Sequence, residues 1–132
     1  MSRFVRVQTQ LRDRAALLEG LAALGLEVIV ADPRAPVMLE GSLECAGEPV
    51  ELRLIAGPLA TVEDFGFVRD AGGVYQLVCG EYDRARLEQE LLAPLAQHVA
   101  AAQARRLAAE RGLELSETRD VDGTRRLKLR RR

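Results

Sequence analysis

The longest regular pattern in the chain is a helical run from Asp83 to Gly112. Its apolar residues recur at the spacing that places side chains on one face of an α-helix. Pro94 interrupts the run because it has no amide hydrogen to donate to the carbonyl of Glu90, so we expect a long helix with a kink there. Asp83 is placed to cap the first turn, and Gly112 to end the helix. The apolar stripe consists of Leu87, Leu91, Leu95, Val99 and Leu107.

A shorter amphipathic helix is predicted over residues 13–24. Asp13 is a suitable N-terminal cap, and Gly25 is a suitable C-terminal stop, because glycine adopts the left-handed conformation that commonly ends helices. A short strand from Phe4 to Val7 precedes this helix. Residues 26–30 follow it and are predicted to form a buried strand. The stripe of the short helix consists of Leu17, Leu18, Leu21 and Leu24.

Three pairs of β-prone segments, each joined by a turn-forming stretch, are predicted to form hairpins. In the first, residues 50–55 alternate so that Glu51 and Arg53 face water. The third follows the long helix. Together with the two helices, these hairpins predict an α+β fold, with a mainly antiparallel sheet and both helices packed on one face. The pairs are 37–45 with 50–55, 65–67 with 74–79, and 113–118 with 124–130.

The length of 132 residues favours one domain spanning residues 1–132, and 48% apolar residues with balanced charge are typical of a globular protein. No apolar run approaches the roughly 20 residues that cross a bilayer. The first ten residues, MSRFVRVQTQ, carry charges where a secretion signal needs an apolar stretch. We therefore expect a cytoplasmic protein that does not enter a membrane.

The composition gives little support for a metal site or for redox chemistry. Cys45, Cys79 and His98 are the only cysteines and histidine, and a structural zinc site usually takes four such ligands. Both cysteines lie in apolar, strand-like runs and are predicted to be buried free thiols. His98 has no cysteine or acid one helical turn away, so we expect a surface or interhelix histidine and no metal ligand.

The letters DFG at residues 64–66 match the motif whose aspartate holds magnesium in protein kinases. A kinase also needs a glycine-rich loop, a strand lysine before this motif and a catalytic loop. The sole lysine of the chain, Lys128, comes after it. We therefore predict that Asp64 begins a strand, that Phe65 or Phe67 enters the core, and that Gly66 permits a close backbone approach or a bulge.

No other catalytic constellation emerges from the sequence. Gly72 and Gly73 are followed by neither a lysine nor a strand-to-helix transition, so they are interpreted as a turn, not a phosphate loop. A Ser/His/Asp triad would have to use His98, whose neighbourhood offers no support. Neighbouring carboxylates such as Glu63 and Asp64 are interpreted as solvated charges. The expectation is a protein that is not an enzyme and uses no cofactor.

Charge is unevenly distributed along the chain. Residues 27–64 hold eight acids and two arginines, whereas residues 125–132 hold six basic side chains and no acid. In the predicted last strand, period two places Leu127 and Leu129 toward the core and Arg126, Lys128 and Arg130 in a row on the opposite face. This row could bind an acidic protein surface, contact nucleic-acid phosphates, or serve as a charged edge that prevents aggregation.

Three segments, taken in order, resemble one family. They are FVRVQTQLRD (Phe4 to Asp13) continuing to AALGLEV, then DFGF (Asp64 to Phe67) followed by GVYQLV (Gly73 to Val78), and finally DGTRRLKLRR (Asp122 to Arg131). They resemble the hypothetical chloroplast reading frame thirty-five group, a domain of unknown function found in cyanobacteria, algal plastids and other bacteria. The resemblance covers nearly the whole chain and implies an α+β domain without an assigned activity.

Relatives in that family are often encoded near AAA-type ATPases, so the resemblance implies an accessory or adaptor role with such an ATPase as a possible protein partner. Two segments depart from the family pattern: QHVAAA from Gln97, where relatives tend to carry aromatic residues and a histidine, and CGEYD from Cys79, where they often have paired tryptophans. The leading hypothesis is a non-enzymatic adaptor that binds a protein through Arg126, Lys128 and Arg130. The alternative is a nucleic-acid-binding module that uses the same residues.

Overall fold

The computed structural model describes residues 3–41, 46–55, 58–121 and 123–131. The order of elements is a strand, a helix, six strands, a long helical run and two final strands, and the fold is α+β as predicted. A 3-10 turn at Glu81–Asp83 and a π-helical turn at Glu88–Leu92 belong to the long helical run. The elements are β1 Phe4–Gln8, α1 Arg14–Ala23, β2 Val28–Val30, β3 Val37–Met38, β4 Pro49–Val50, β5 Leu52–Leu54, β6 Phe65–Arg69, β7 Tyr75–Gly80, α2 Arg84–Leu87, α3 Ala93–Arg111, β8 Leu113–Arg119 and β9 Arg125–Arg131.

The main sheet has five antiparallel strands in the order β1-β7-β6-β5-β2. Its central hairpin, β6–β7, confirms the prediction for residues 65–79. The Asp70 carboxylate accepts hydrogen bonds from the amides of Gly72 (2.8 Å) and Val74 (3.0 Å), which closes the turn. Gly73 has a φ of +81°, a conformation that residues with a side chain rarely adopt.

The DFG stretch belongs to this hairpin, as predicted. Phe65 and Phe67 are buried on the helix-covered face of the sheet. Gly66 points to the opposite face, where a β-carbon would lie 2.3 Å from the carbonyl oxygen of Leu52. The glycine is therefore required because the backbone of β5 passes too close for any side chain.

Helix α1 and the long helical run that contains α2 and α3 pack on the same face of the sheet, which confirms the predicted arrangement. Asp13 caps α1 by accepting a hydrogen bond from the amide of Ala16 (3.0 Å), and Gly25 follows the helix with a φ of +77°. The core between helices and sheet contains Ala16, Leu17, Leu21, Leu52, Leu54, Phe65, Phe67, Tyr75, Leu77, Cys79, Leu87, Leu91, Leu95 and Val99, among others.

The long helical run continues past Pro94, and the expected disturbance takes the form of the π turn directly before it. Leu87, Leu91 and Leu95 are spaced four apart and are all fully buried. In a regular α-helix, side chains four residues apart point in directions that differ by about 40° around the helix axis. The π turn has more residues per turn and reduces this difference, so the three leucines stay on the buried face. Gly112, with a φ of +62°, ends the helix as predicted.

The opposite face of the sheet is covered by the small hairpin β3–β4. Leu39, Val50 and Val78 form a second buried cluster there. Among the described residues, the predicted pairing of 37–45 with 50–55 is correct only for Val37 with Val50. Met38 pairs with Pro49, which was predicted to lie in the turn, and β5 joins the main sheet instead. Residues 42–45, and with them Cys45, lie outside the described residues.

One predicted strand is present but is not buried as expected. Residues 26–30 were expected to form a buried strand, but β2 is an edge strand of only three residues. Ile29 and Val30 remain 39% and 45% exposed. The apolar run therefore marks an edge that is covered on one side only.

Candidate interaction surface

The last two strands, β8 and β9, form a separate two-stranded antiparallel sheet, hereafter the terminal hairpin. Its turn is closed by hydrogen bonds from the amide of Asp120 to the carbonyl of Thr124 (2.8 Å) and from the amide of Gly123 to the carbonyl of Asp120 (3.0 Å). Gly123 has a φ of +89°, which explains the glycine in this turn. The predicted hairpin is confirmed, and its register places Leu115 opposite Leu129.

One face of the terminal hairpin lies against α3 and carries four half-buried leucines. The prediction that Leu127 and Leu129 enter the core is wrong: neither belongs to a buried cluster. The hairpin does not extend the main sheet, and a single helix covers less of a strand pair than two helices cover of the main sheet. The four leucines are Leu113, Leu115, Leu127 and Leu129.

Arg125 joins the terminal hairpin to α3. Its side chain is only 11% exposed, and its guanidinium donates to the Glu117 carboxylate. A second guanidinium nitrogen lies 3.1 Å from Nδ1 of His98 on α3. Because the arginine supplies the hydrogen, Nδ1 accepts and the neutral imidazole carries its hydrogen on Nε2. His98 therefore lies between a helix and the hairpin.

The pKa values of the two groups beside Arg125 both move downward, for different reasons. Burial lowers the pKa of His98 first, and the positive charges of Arg125, Arg119 and Arg105 lower it further. The pKa of Glu117 is lowered mainly by its hydrogen bond from Arg125. A neutral histidine and an ionised glutamate are thus the states that suit this contact.

The outer face of the terminal hairpin carries the predicted basic row, Arg126, Lys128 and Arg130, and all three residues are exposed. Arg126 pairs with Asp120 at 2.9 Å. In the described part of the chain, the side chains of Lys128 and Arg130 form no hydrogen bond or ion pair. Successive members of the row are two residues apart, or about 6.8 Å along an antiparallel strand.

Many arginines elsewhere are engaged in ion pairs, whereas Lys128 and Arg130 of the basic row form none among the described residues. The pairs join Arg6 to Glu48, Arg53 to Asp64, Arg69 to Glu51, Arg84 to Glu88, Arg86 to Glu90, Arg105 to Glu19 and Arg106 to Asp13.

The aspartate of DFG has a structural environment that sequence reasoning missed. Asp64 is buried and accepts hydrogen bonds from the amides of Glu40 (2.9 Å) and Gly41 (2.8 Å) and from Nε of Arg53 (2.8 Å). It thereby ties the segment after β3 to β5. The expectation that Arg53 and Asp64 are solvated charges is wrong, because the Arg53 side chain is only 16% exposed and Asp64 covers it.

Asp83 was predicted to cap the long helix, but its carboxylate makes no capping bond. Instead it accepts hydrogen bonds from the amides of Val62 (2.9 Å) and Glu63 (3.1 Å). Glu63 is also buried, contrary to its interpretation as a solvated charge. The Asp83 carboxylate therefore fastens the loop before β6. Within the described ranges, no three His, Cys, Asp or Glu side chains are grouped to hold a metal ion.

Cys79 is a buried free thiol, as predicted. Burial, with a smaller contribution from the charge of Asp83, raises its pKa to about 12. Because the thiolate is the reactive form, this cysteine is unsuited to act as a nucleophile near neutral pH.

A groove of about 360 Å³ opens where the ends of β2, β5 and β6 meet. Two of its three arginines, Arg6 and Arg69, are already held by Glu48 and Glu51. Most of the arginine side chains that line the groove are therefore already paired with carboxylates of the same chain. Its apolar walls come from Pro33, Pro36, Pro49, Val50 and Val68.

The fold and its surfaces define the protein as an α+β domain with an appended basic hairpin. Comparison with protein-family models, with curated proteins and with solved structures finds no match in any of the three. The family resemblance of the sequence therefore stays a prediction. In the described part of the chain, no helix combines the length and apolarity needed to cross a bilayer.

Proposed function

We propose that this chain is a small, non-enzymatic, cytoplasmic adaptor whose basic row binds an acidic surface of another protein. The observation that carries the proposal is the state of Lys128 and Arg130, which are exposed and lack a partner side chain among the described residues. Neighbouring cations repel one another, so a row of them is favourable where an anionic partner relieves the repulsion.

The anchoring of the terminal hairpin supports the same proposal. Arg125 fixes the hairpin to α3 from the inner face, while the row projects from the outer face. A row on a fixed strand loses less conformational freedom on binding than one on a flexible tail. The family resemblance suggests an AAA-type ATPase as the partner.

Affinity capture of the tagged chain from nuclease-treated native lysate tests this function. The wild type is compared with a triple variant, Arg126→Ala, Lys128→Ala and Arg130→Ala, and recovered proteins are identified by mass spectrometry. We expect stoichiometric recovery of one protein, lost in the variant. Folding should be unaffected, because exposed positions away from the core change stability by roughly 0.5 kcal/mol or less each.

A matched control removes three positive charges elsewhere, by Arg3→Ala, Arg84→Ala and Arg86→Ala. Each of these residues takes part in an exposed ion pair, and such pairs contribute little to stability. The control should recover the partner as the wild type does. Equal loss in both variants would mean that net charge, and not the basic row, governs binding.

The alternative function, nucleic-acid binding, is supported by the excess of basic over acidic side chains in residues 113–131. Three phosphate contacts would give a log–log salt slope of about −2 to −3. Against it, β8 and β9 contain no aromatic residue on which bases could stack. Retention on heparin, with only nuclease-sensitive material captured from untreated lysate, would favour this alternative.

A further inference from the structure

The terminal hairpin leaves one edge of β9 without a strand neighbour. Its sheet contains only two strands, so β9 pairs with β8 on one side alone. Among the described residues, no backbone hydrogen bond joins 125–131 to any segment other than β8. A strand of seven residues therefore presents a series of unpaired amide and carbonyl groups along its outer edge.

We propose that this edge binds an extended acidic peptide, which adds to the terminal hairpin as a third, antiparallel strand. The inference rests on the proposed function and names the chemistry of the partner. In an antiparallel pair, directly opposed side chains lie about 4.5–5.5 Å apart on the same face. Every second residue of an added strand would thus stand beside Arg126, Lys128 or Arg130.

The two faces of β9 set the pattern of the peptide. On the outer face, the three cations call for acidic side chains at alternate positions. On the inner face, Leu127 and Leu129 are half-buried and could be covered further by apolar side chains at the positions between. The matching sequence alternates acidic and apolar residues, with the period of two that a strand imposes.

Charge also distinguishes this occupant from two others. If a second copy of the chain paired through β9 about Lys128, lysine would face lysine and arginine would face arginine, which is unfavourable. The edge of β8 carries Glu114 on the outer face, so an acidic strand would be repelled there. The β9 edge is therefore the one that suits an acidic strand.

Fluorescence anisotropy with labelled peptides of about nine residues, long enough to cover β9, tests the inference on the full chain. The probe alternates glutamate and valine, and the control has the same composition with its glutamates and valines in two blocks. We expect the alternating peptide to bind about tenfold more tightly, because only it combines three acids beside the row with valines beside Leu127 and Leu129. A block of glutamates would turn its intervening acids toward those leucines. The triple alanine variant should lose this preference, and the Arg3, Arg84 and Arg86 control variant should keep it.

Backbone methylation of the peptide tests strand addition directly. Successive amides of a strand point to opposite sides, so only one alternating set would donate to β9. Methylating that set should abolish binding, and methylating the other should leave it unchanged. Strand addition would be overturned if the peptide still bound after methylation of either set of amides. It would also be overturned if the alternating and block peptides bound equally.

These outcomes can be separated from failure of the proposed function. If lysate capture still recovers a row-dependent protein while the peptides show no preference for alternation, the adaptor function stands and strand addition falls. If an oligothymidylate binds more tightly than the alternating peptide at equal salt and depends on the same row, nucleic-acid binding replaces both.

Discussion

The main sheet and the terminal hairpin are both antiparallel and both contact α3, yet they are held in different ways. In the main sheet, the inner strands have a neighbour on each side, and Leu52, Phe67 and Leu77 are fully buried beneath the helices. The terminal hairpin has two strands, half-buried leucines and a polar contact through Arg125. The comparison indicates that the main sheet supplies more of the stability than the terminal hairpin does.

Truncating one large apolar side chain in each region should give the largest contrast. Phe67→Ala should lower the free energy of unfolding by about 3–5 kcal/mol, because it leaves a cavity in the closed core. Leu127→Ala, at a half-buried position, should cost about 1 kcal/mol. Urea unfolding followed by circular dichroism measures both, and equal losses would contradict the division of roles between the regions.

A second contrast concerns two aspartate–arginine pairs of similar length, Asp64 with Arg53 (2.8 Å) and Asp120 with Arg126 (2.9 Å). Asp64→Ala should cost about 3 kcal/mol, because it leaves two backbone amides and Nε of the largely buried Arg53 without an acceptor. Asp120→Ala removes an exposed pair and should cost less than about 1 kcal/mol. The same urea titrations apply, and a negligible effect of Asp64→Ala would show that water replaces its contacts.

The close approach at Gly66 allows a narrower test within the main sheet. Gly66→Ala should destabilise the protein by about 1–3 kcal/mol, since the new methyl group collides with the backbone of β5. Gly72→Ala is the matched control, because its nearest neighbour would be the Asp70 side chain at 3.4 Å. In thermal unfolding, Gly66→Ala should have a clearly lower melting temperature than Gly72→Ala. Equal melting temperatures would mean that β5 shifts away from the new methyl group at little cost in free energy.

The smallest effect should be a pH dependence confined to the terminal hairpin. The pKa of His98 is lowered from 6.5 in the folded chain, so the unfolded or undocked state binds more protons just below that pH. Stability from this contact is therefore present above pH 6.5 and declines as the pH falls below it. Between pH 6.5 and about 5, above the usual titration range of carboxylates, we expect several-fold faster opening of residues 113–131.

Hydrogen exchange, corrected for the intrinsic rate at each pH, measures this opening. His98→Gln keeps a polar side chain beside Arg125 but cannot titrate, so its exchange rates should not respond to pH in this range. If the variant responds as the wild type does, another group is responsible. Amides of β6 and β7 provide the internal reference.

Sequence reasoning succeeded where the determining chemistry is local. The cap at Asp13, the glycine stops at Gly25 and Gly112, and the turn at Asp70–Gly73 all depend on residues within a few positions of one another. The outward direction of the basic row follows from strand alternation in the same way. These features could be predicted without knowing the tertiary structure.

It failed where partners are distant in the chain. Asp83 bonds to amides about twenty positions earlier, and Asp64 to amides more than twenty positions earlier. Similarly, strand alternation places Leu127 and Leu129 on the inner face. It does not determine whether the inner face packs against a closed core or against a single helix. The candidate site was thus predicted in its residues and direction, whereas its anchoring through Arg125 and His98 was not.

The placement of the two tyrosines has a practical consequence. The chain has no tryptophan, so its intrinsic fluorescence comes from Tyr75, which is fully buried, and Tyr82, which is 82% exposed. Neither lies in the terminal hairpin. A quenching or melting experiment that measures tyrosine emission would report on the main sheet. Undocking of the terminal hairpin would leave that emission unchanged. The molecule thus offers a native reporter for one of its two regions, and a single tyrosine introduced into β9 would supply the other.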